Sequence, residues 1–251
     1  MSDLGTPTNN GTASPASAVI TTMSPLTVCV VPFRLTNGNL QVGIVHRLHE
    51  IWLPSGELAP EESLDSGARR IICGDSEGHI PAHGHDHYFE QLYTFGLNTH
   101  PLRQIVISYI ALFRNADPPG SDAEGDAVEW RPVRDVVLNR PIDRMVLDYA
   151  ITRLRAKFGY TNIAFHLMPQ TFTMTELQQA YECVLEHPVD KRNFRRRMTA
   201  TGILEDTGEK RRDGSHRPAA LYRFAARNDQ AAYLTPPWAT ERLGSAAGGG
   251  D

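Results

Sequence analysis

The sequence predicts an α+β chain in which a mixed-sheet domain is joined by a single helix to a winged helix-turn-helix. Three observations carry this reading. Short alternating segments fill residues 25–133, an apolar helical pattern starts at Pro141, and the basic run from Asp190 to Met198 lies between an amphipathic helix and a glycine-punctuated hairpin.

The sheet segments are Leu26 to Phe33, Leu40 to Arg47, Tyr88 to Phe95, Ile105 to Phe113 and Ala127 to Arg131, with one helix, Glu62 to Ile72, among them. Pro141 suits a first helical turn, where its missing N–H costs nothing, and Gly159 marks the stop. Between them Ile142, Met145, Val146, Tyr149, Ile151, Leu154 and Phe158 supply the apolar positions of this bridging helix. The next helix opens at Thr173, whose hydroxyl caps the first turn while Glu176 reaches back as a capping box. Leu177, Ala180, Tyr181, Val184 and Leu185 form its stripe, and His187-Pro188-Val189 is the turn. Asp190 caps the following helix, which places Phe194, Met198 and Thr201 on one face. Lys191, Arg192, Arg195, Arg196 and Thr199 share the other. Two short strands, Gly202 to Asp206 and Ala220 to Phe224, are expected to flank a wing running from Thr207 to Pro218.

Charge points to the partner. The segment from His187 to Arg227 holds 11 Lys or Arg against 5 Asp or Glu, so it carries a net +6 within a chain of net −4. A local cation excess draws in phosphates by releasing their counterions, and the acidic remainder discourages indiscriminate adhesion. Double-stranded DNA is therefore the expected partner. With 251 residues and 41% hydrophobic content the chain has material for two cores. No apolar run is long enough to span a membrane and no signal pattern opens the chain, so a cytoplasmic location is expected. Cys29, Cys73 and Cys183 are widely spaced and odd in number, which predicts reduced thiols used as small core residues. The polar and glycine-rich ends predict disordered tails over residues 1–24 and 229–251. The domain reading is then a sensing domain at 25–140, a linker helix at 141–165 and a DNA-binding domain at 166–228.

Pro54-Ser55-Gly56, then Glu62 after five residues and Arg70 after seven more, has the spacing of the front half of a Nudix box. That box sets carboxylates at helical steps around a magnesium ion on a pyrophosphate. Here Ile71 follows Arg70 where glutamate belongs, Gly74 and Asp75 replace a Glu-Glu pair, and Glu77 replaces the closing glycine. An isoleucine cannot ligate a hard cation, so no hydrolytic role, catalytic residue, metal or cofactor is expected. His79, His83, His85 and His87 invite zinc, but without a nearby cysteine or a regular ligand spacing a loop around Pro81 and Gly84 is the expectation.

Further stretches resemble the Nudix-related transcriptional regulators of the NrtR type: Tyr88 to Gly96, Val106 to Tyr109, Tyr160 to Phe165, Phe172 to Gln178, Asp190 to Arg196 and His216 to Phe224. The resemblance covers residues 25 to about 226 and implies an N-terminal Nudix-like α/β/α sandwich with a mixed sheet. It also implies a homodimer that represses NAD biosynthesis or salvage genes and senses a nucleotide such as ADP-ribose, NAD or ATP. On this reading Lys191, Arg192, Asn193, Arg195 and Arg196 meet DNA, with Arg211, Arg212, His216 and Arg217 in or near the wing. Arg197 lies off the basic face, where an intradomain salt bridge is as good an account as DNA contact. Stacking on adenine and countering a pyrophosphate require an aromatic face and cations, which selects Arg47, Trp52, Arg70, Glu90 and Tyr109 for the effector. Two alternatives stay open: an active Nudix hydrolase of ADP-ribose, and a sugar-responsive regulator of the same build.

Overall fold

The first strand, β1 (Leu26–Thr36), has no solvent face: Cys29, Val31 and Phe33 enter one apolar cluster and Val28 and Val30 enter another. Successive side chains of a strand point to opposite faces, so a strand buried on both must lie inside a sandwich. A computed structural model of the chain, which describes residues 26–36, 38–73, 88–99, 102–114, 128–212 and 218–225, shows that sandwich. It contains β2 (Asn39–Arg47), β3 (Glu50–Trp52), β4 (Ser55–Glu57), α1 (Leu64–Cys73), β5 (Tyr88–Thr99), β6 (Leu102–Phe113) and β7 (Glu129–Pro132). The strands form one sheet in the order β3-β2-β1-β6-β5, with β4 on β1 and β7 on β2. Among the described strands of this sheet only β1 and β6 pair in parallel; the other pairings are antiparallel.

Helix α1 covers the face of Val28, Val30, Tyr109 and Phe113, burying Ala68, Ile71 and Ile72 there. The opposite face takes α2 (Pro141–Phe158), whose Ile142, Val146, Leu147, Ala150, Leu154 and Phe158 are buried. Proline at the first turn is as expected, and Gly159 ends the helix in a right-handed conformation. Leu147 and Ala150 point inward, while Met145 and Tyr149, apolar positions of the same helix, are exposed. The reason is geometric, because α2 must touch the sheet and the next helix at once, and only one stripe meets both.

Beyond α2 and a 3₁₀ turn at Ile163–His166 come β8 (Phe172–Thr173), α3 (Met174–Leu185), α4 (Lys191–Ala200), β9 (Leu204–Arg211) and β10 (Ala219–Phe224), with a small sheet ordered β8-β10-β9. Both caps form as predicted. Thr173 accepts from the Glu176 N–H at 3.2 Å while Glu176 accepts from the Thr173 N–H at 2.7 Å, and Asp190 accepts from the Asn193 N–H at 2.7 Å. The turn between α3 and α4 is held from α3 itself: Glu182 accepts the Val189 N–H at 3.0 Å and Gln178 donates to the Val189 carbonyl at 3.3 Å. Glu186, left-handed at φ 56°, ends α3. The wing strand differs from expectation, since β9 extends through Thr207 to Arg211 rather than stopping at Asp206. Gly208, at φ 77°, and the Asp206 carboxylate that accepts its N–H at 2.8 Å make an irregularity that lets pairing resume at Lys210 opposite Ala220.

Burial alone would raise the Glu176 carboxyl, yet the Thr173 N–H and the Arg211 guanidinium hold it below its usual value. Arg70 does the same for Glu62, and the Val189 N–H for Glu182. A carboxylate whose pKa is depressed by folding stabilises the fold above its unfolded pKa, and that contribution is lost as pH falls through the folded value. Acid titration followed by circular dichroism will therefore show the α3–α4 unit loosening below the ordinary carboxylate range. Glu176→Ala will lower stability at neutral pH by about 1 kcal/mol and flatten that acid limb. Burial pushes the Cys29 thiol far above the ordinary range and raises Cys183 as well. Site-resolved alkylation at pH 8 will find Cys29 unreactive until denaturant is added and Cys183 slower than an exposed thiol.

Candidate DNA interface and effector site

The recognition helix is fixed from beneath. Phe194 and Met198 are buried, Phe194 packing edge-on against Tyr181 of α3 with ring centroids 5.2 Å apart. That registers α4 so that Lys191, Arg192, Asn193, Arg195 and Arg196 are exposed together, as their spacing predicts. Arg196 donates to the Asn193 side chain at 3.1 Å, which orders both before any ligand arrives. Arg192, Arg195, Arg196 and Thr199 line a shallow surface along the helix. Such a row offers guanidinium forks to phosphates or guanine edges.

A second groove, of about 410 Å³, runs between α3, α4 and the wing and is lined by Thr175, Arg195, Lys210 and Tyr222 among others. Spacing in the sequence does not single out Lys210 or Thr175. Lys210 belongs to the strand extension of β9, and Thr175 lies just inside the capped end of α3. The Arg211 guanidinium pairs with Glu176, so it anchors the wing to α3. Arg212 is exposed at the end of β9, and Arg197 is half-buried. His216 and Arg217 lie outside the described residues.

The five effector candidates are split by the sheet. Val45 and Trp52 are register partners on β2 and β3, and Val45 enters the cluster under α1, so Arg47 and Trp52 belong to the α1 face. The Arg47 guanidinium lies 5.6 Å from the centre of the Trp52 ring, and Arg140 lies 4.1 Å from it. Arg70, on α1, grips Glu62 with two hydrogen bonds of 2.7 Å and the Glu57 carbonyl with one of 3.0 Å, so it holds the loop before α1 in place.

Tyr109 and Glu90 are corrections. Tyr109 is 2% exposed, and its hydroxyl donates to Asp65 at 2.7 Å, so its ring is core beneath α1 and offers no stacking face. Glu90 lies on the α2 side, where it pairs with Lys157 and accepts from the Tyr88 hydroxyl. Its charge ties the edge strand to α2. Ile71, at the position where a ligating glutamate belongs, is buried against the sheet. Gly74, Asp75, Glu77 and the cluster from His79 to His87 lie outside the described residues. Among the described residues no group of His, Cys, Asp or Glu is arranged to hold a metal ion, and no helix is long and apolar enough to cross a membrane.

Comparison with known proteins agrees with this build. The family model described as the NrtR DNA-binding winged helix domain matches residues 164–224. The ADPR responsive transcriptional repressor NtrR of Acinetobacter baylyi is 32% identical over 214 residues, which span 80% of this chain and 83% of that protein. The crystal structure of Shewanella oneidensis NrtR complexed with a 27mer DNA superposes with a TM-score of 0.69 at 29% identity, covering 83% of this chain and 97% of that one. A MutT/nudix family protein from Enterococcus faecalis shares the fold, with a TM-score of 0.57 at 17% identity over 81% of this chain and 87% of that one. A winged helix with a cationic ridge, carried behind a Nudix-type sheet and similar over most of its length to a known repressor, makes this chain a member of the NrtR family.

Proposed function

We propose that this chain is a DNA-binding transcriptional repressor of NAD biosynthesis or salvage genes, released or recruited by ADP-ribose or a related NAD metabolite held in its Nudix-like domain. The observation that carries the reading is the row of Lys191, Arg192, Arg195 and Arg196, exposed on a helix whose opposite face is pinned by Phe194 and Met198. Lys191, Arg192, Asn193, Arg195, Arg196 and Arg212 serve the groove and its phosphates, with Lys210 and Thr175 at the backbone. His216 and Arg217 are assigned to the same partner by their chemistry and their place in the sequence between β9 and β10. It works as a homodimer in the cytoplasm with the DNA it binds, since two recognition helices one duplex turn apart supply the length of contact that specificity needs. The effector domain spans residues 25–140, the linker helix 141–165 and the DNA-binding domain 166–228.

The effector occupies the α1 face, with Trp52 as the stacking surface and Arg47 facing its phosphates, while Arg70 holds the loop before α1. Support for this assignment is twofold: the cations gather on the Trp52 side of the sheet, and the A. baylyi relative is named for its response to ADPR. The site binds without hydrolysing. A buried isoleucine at a ligand position of the box removes an oxygen that magnesium requires.

Titrating purified protein with fluorescent DNA from its own promoter region will give a salt-dependent complex whose affinity changes when ADP-ribose is added. Arg195→Ala and Arg196→Ala will each weaken it by at least about 1 kcal/mol and lower the salt slope by about one for each phosphate that is no longer neutralised. Unchanged affinity and slope in both variants remove α4 from the interface. In a parallel assay magnesium-dependent release of AMP from ADP-ribose will stay at background, and turnover at the rate of an intact Nudix enzyme overturns the sensor reading.

A further inference from the structure

The loop that carries Trp52 hangs from the beginning of α2. Asn139 accepts the Ile51 N–H at 2.7 Å and donates its own N–H to the Ile51 carbonyl at 3.2 Å. Asp143 is 1% exposed and accepts the Leu53 N–H at 3.1 Å. Arg140 grips that same carboxylate through Nε at 3.0 Å and through Nη2, reaches the Ser55 hydroxyl at 3.3 Å, and lies over the Trp52 ring. Residues 51–55 are thus bound at three points to residues 139–143.

The far end of α2 is bound to the DNA-binding helices. Arg155 donates to the Val184 carbonyl at 3.0 Å and pairs with Glu186 at 2.6 Å, where α3 ends. Phe158 packs edge-on against Tyr181 at 5.1 Å, and Tyr181 packs against Phe194 of the recognition helix at 5.2 Å. An 18-residue helix spans about 27 Å and transmits a displacement of one end to the other because its own hydrogen bonds resist bending.

We propose that Arg140 and Asp143 are positioning residues that couple occupancy of the Trp52 site to the placement of α4, with α2 as the rigid element between them. This rests on the effector reading above and names the device that would carry it. A carboxylate buried this deeply is costly unless its cation stays in place, so Arg140 held on Asp143 and Arg140 drawn toward a ligand are two arrangements of different energy. A nucleotide stacked on Trp52 competes for the ring that Arg140 covers, and its phosphates attract the guanidinium that Asp143 holds. Either event gives the ligand a different affinity for the two arrangements, which is what coupling requires.

The test compares DNA affinity with and without saturating ADP-ribose in the full-length protein. In wild type the two affinities differ about tenfold or more, within the usual span of such couplings. In Asp143→Asn, which keeps an acceptor for Leu53 but removes the charge, the ratio falls below about threefold while DNA affinity without effector changes little. Phe158→Leu, which keeps an apolar side chain at the opposite end, lowers the ratio similarly with ADP-ribose affinity intact, and serves if Asp143→Asn does not fold. Arg140→Lys restores part of the ratio relative to Arg140→Gln. Arg131→Gln, which breaks an exposed pair with Glu129 on β7, leaves it unchanged. Full wild-type ratios in Asp143→Asn and Phe158→Leu overturn this inference alone. A wild type indifferent to ADP-ribose overturns the effector reading and the inference with it.

Discussion

The constraint on which the rest of the structure depends is that Leu154 and Phe158 must be buried by two partners at once, the sheet on one side and α3 on the other. A linker helix between independent domains would present a polar surface along much of its length. Here α2 contributes to a single apolar cluster that runs from Val31 and Phe33 in the central strand to Tyr181 and Phe194 in the helix-turn-helix. Burial of side chains this large stabilises by roughly 1.5 to 3 kcal/mol each. Separating the two halves would therefore expose a core that both share.

That arrangement explains how polar groups are distributed around α2. Asp143 at one end and Lys157 at the other are both largely withdrawn from water, and each is satisfied by the element it fastens: the Trp52 loop in the first case, the β5 edge in the second. Met145 and Tyr149 remain on the solvent side, with Tyr149 among the rings of Tyr93 and Phe95. The apolar clusters set the position of the helix and the ion pairs set its register. Directional interactions suit the second task because they weaken steeply once geometry is lost.

Local chemistry is legible in the sequence and distant chemistry is not. The capping box of Thr173 and Glu176, the Asp190 cap and the two faces of α4 all act within a few residues, so spacing alone discloses them. Strands β3, β4 and β8 are two or three residues long and exist only because remote partners supply their hydrogen bonds. Sequence does not tell which side of the sheet Glu90 faces, since that depends on Lys157, which lies 67 positions away. Tyr109 misleads for a related reason: an aromatic in a strand next to a candidate pocket looks the same whether it lines the pocket or supports it. The roles of Arg140 and Asp143 stay hidden because their partners are a loop some 85 to 90 positions earlier. Family resemblance supplies function, but it does not separate the Trp52 side of the sheet from the α2 side.

The pairing of Arg211 with Glu176, and of Arg223 with Glu205, changes how the charge of the C-terminal region is to be counted. Those guanidinium groups already have anions, and a phosphate that approached them would have to displace a carboxylate rather than a hydrated salt ion. The arginine tally of this region is accordingly a ceiling on the ions set free when duplex docks. What Arg211 supplies instead is stiffness, because it fastens the wing strand to the first turn of α3.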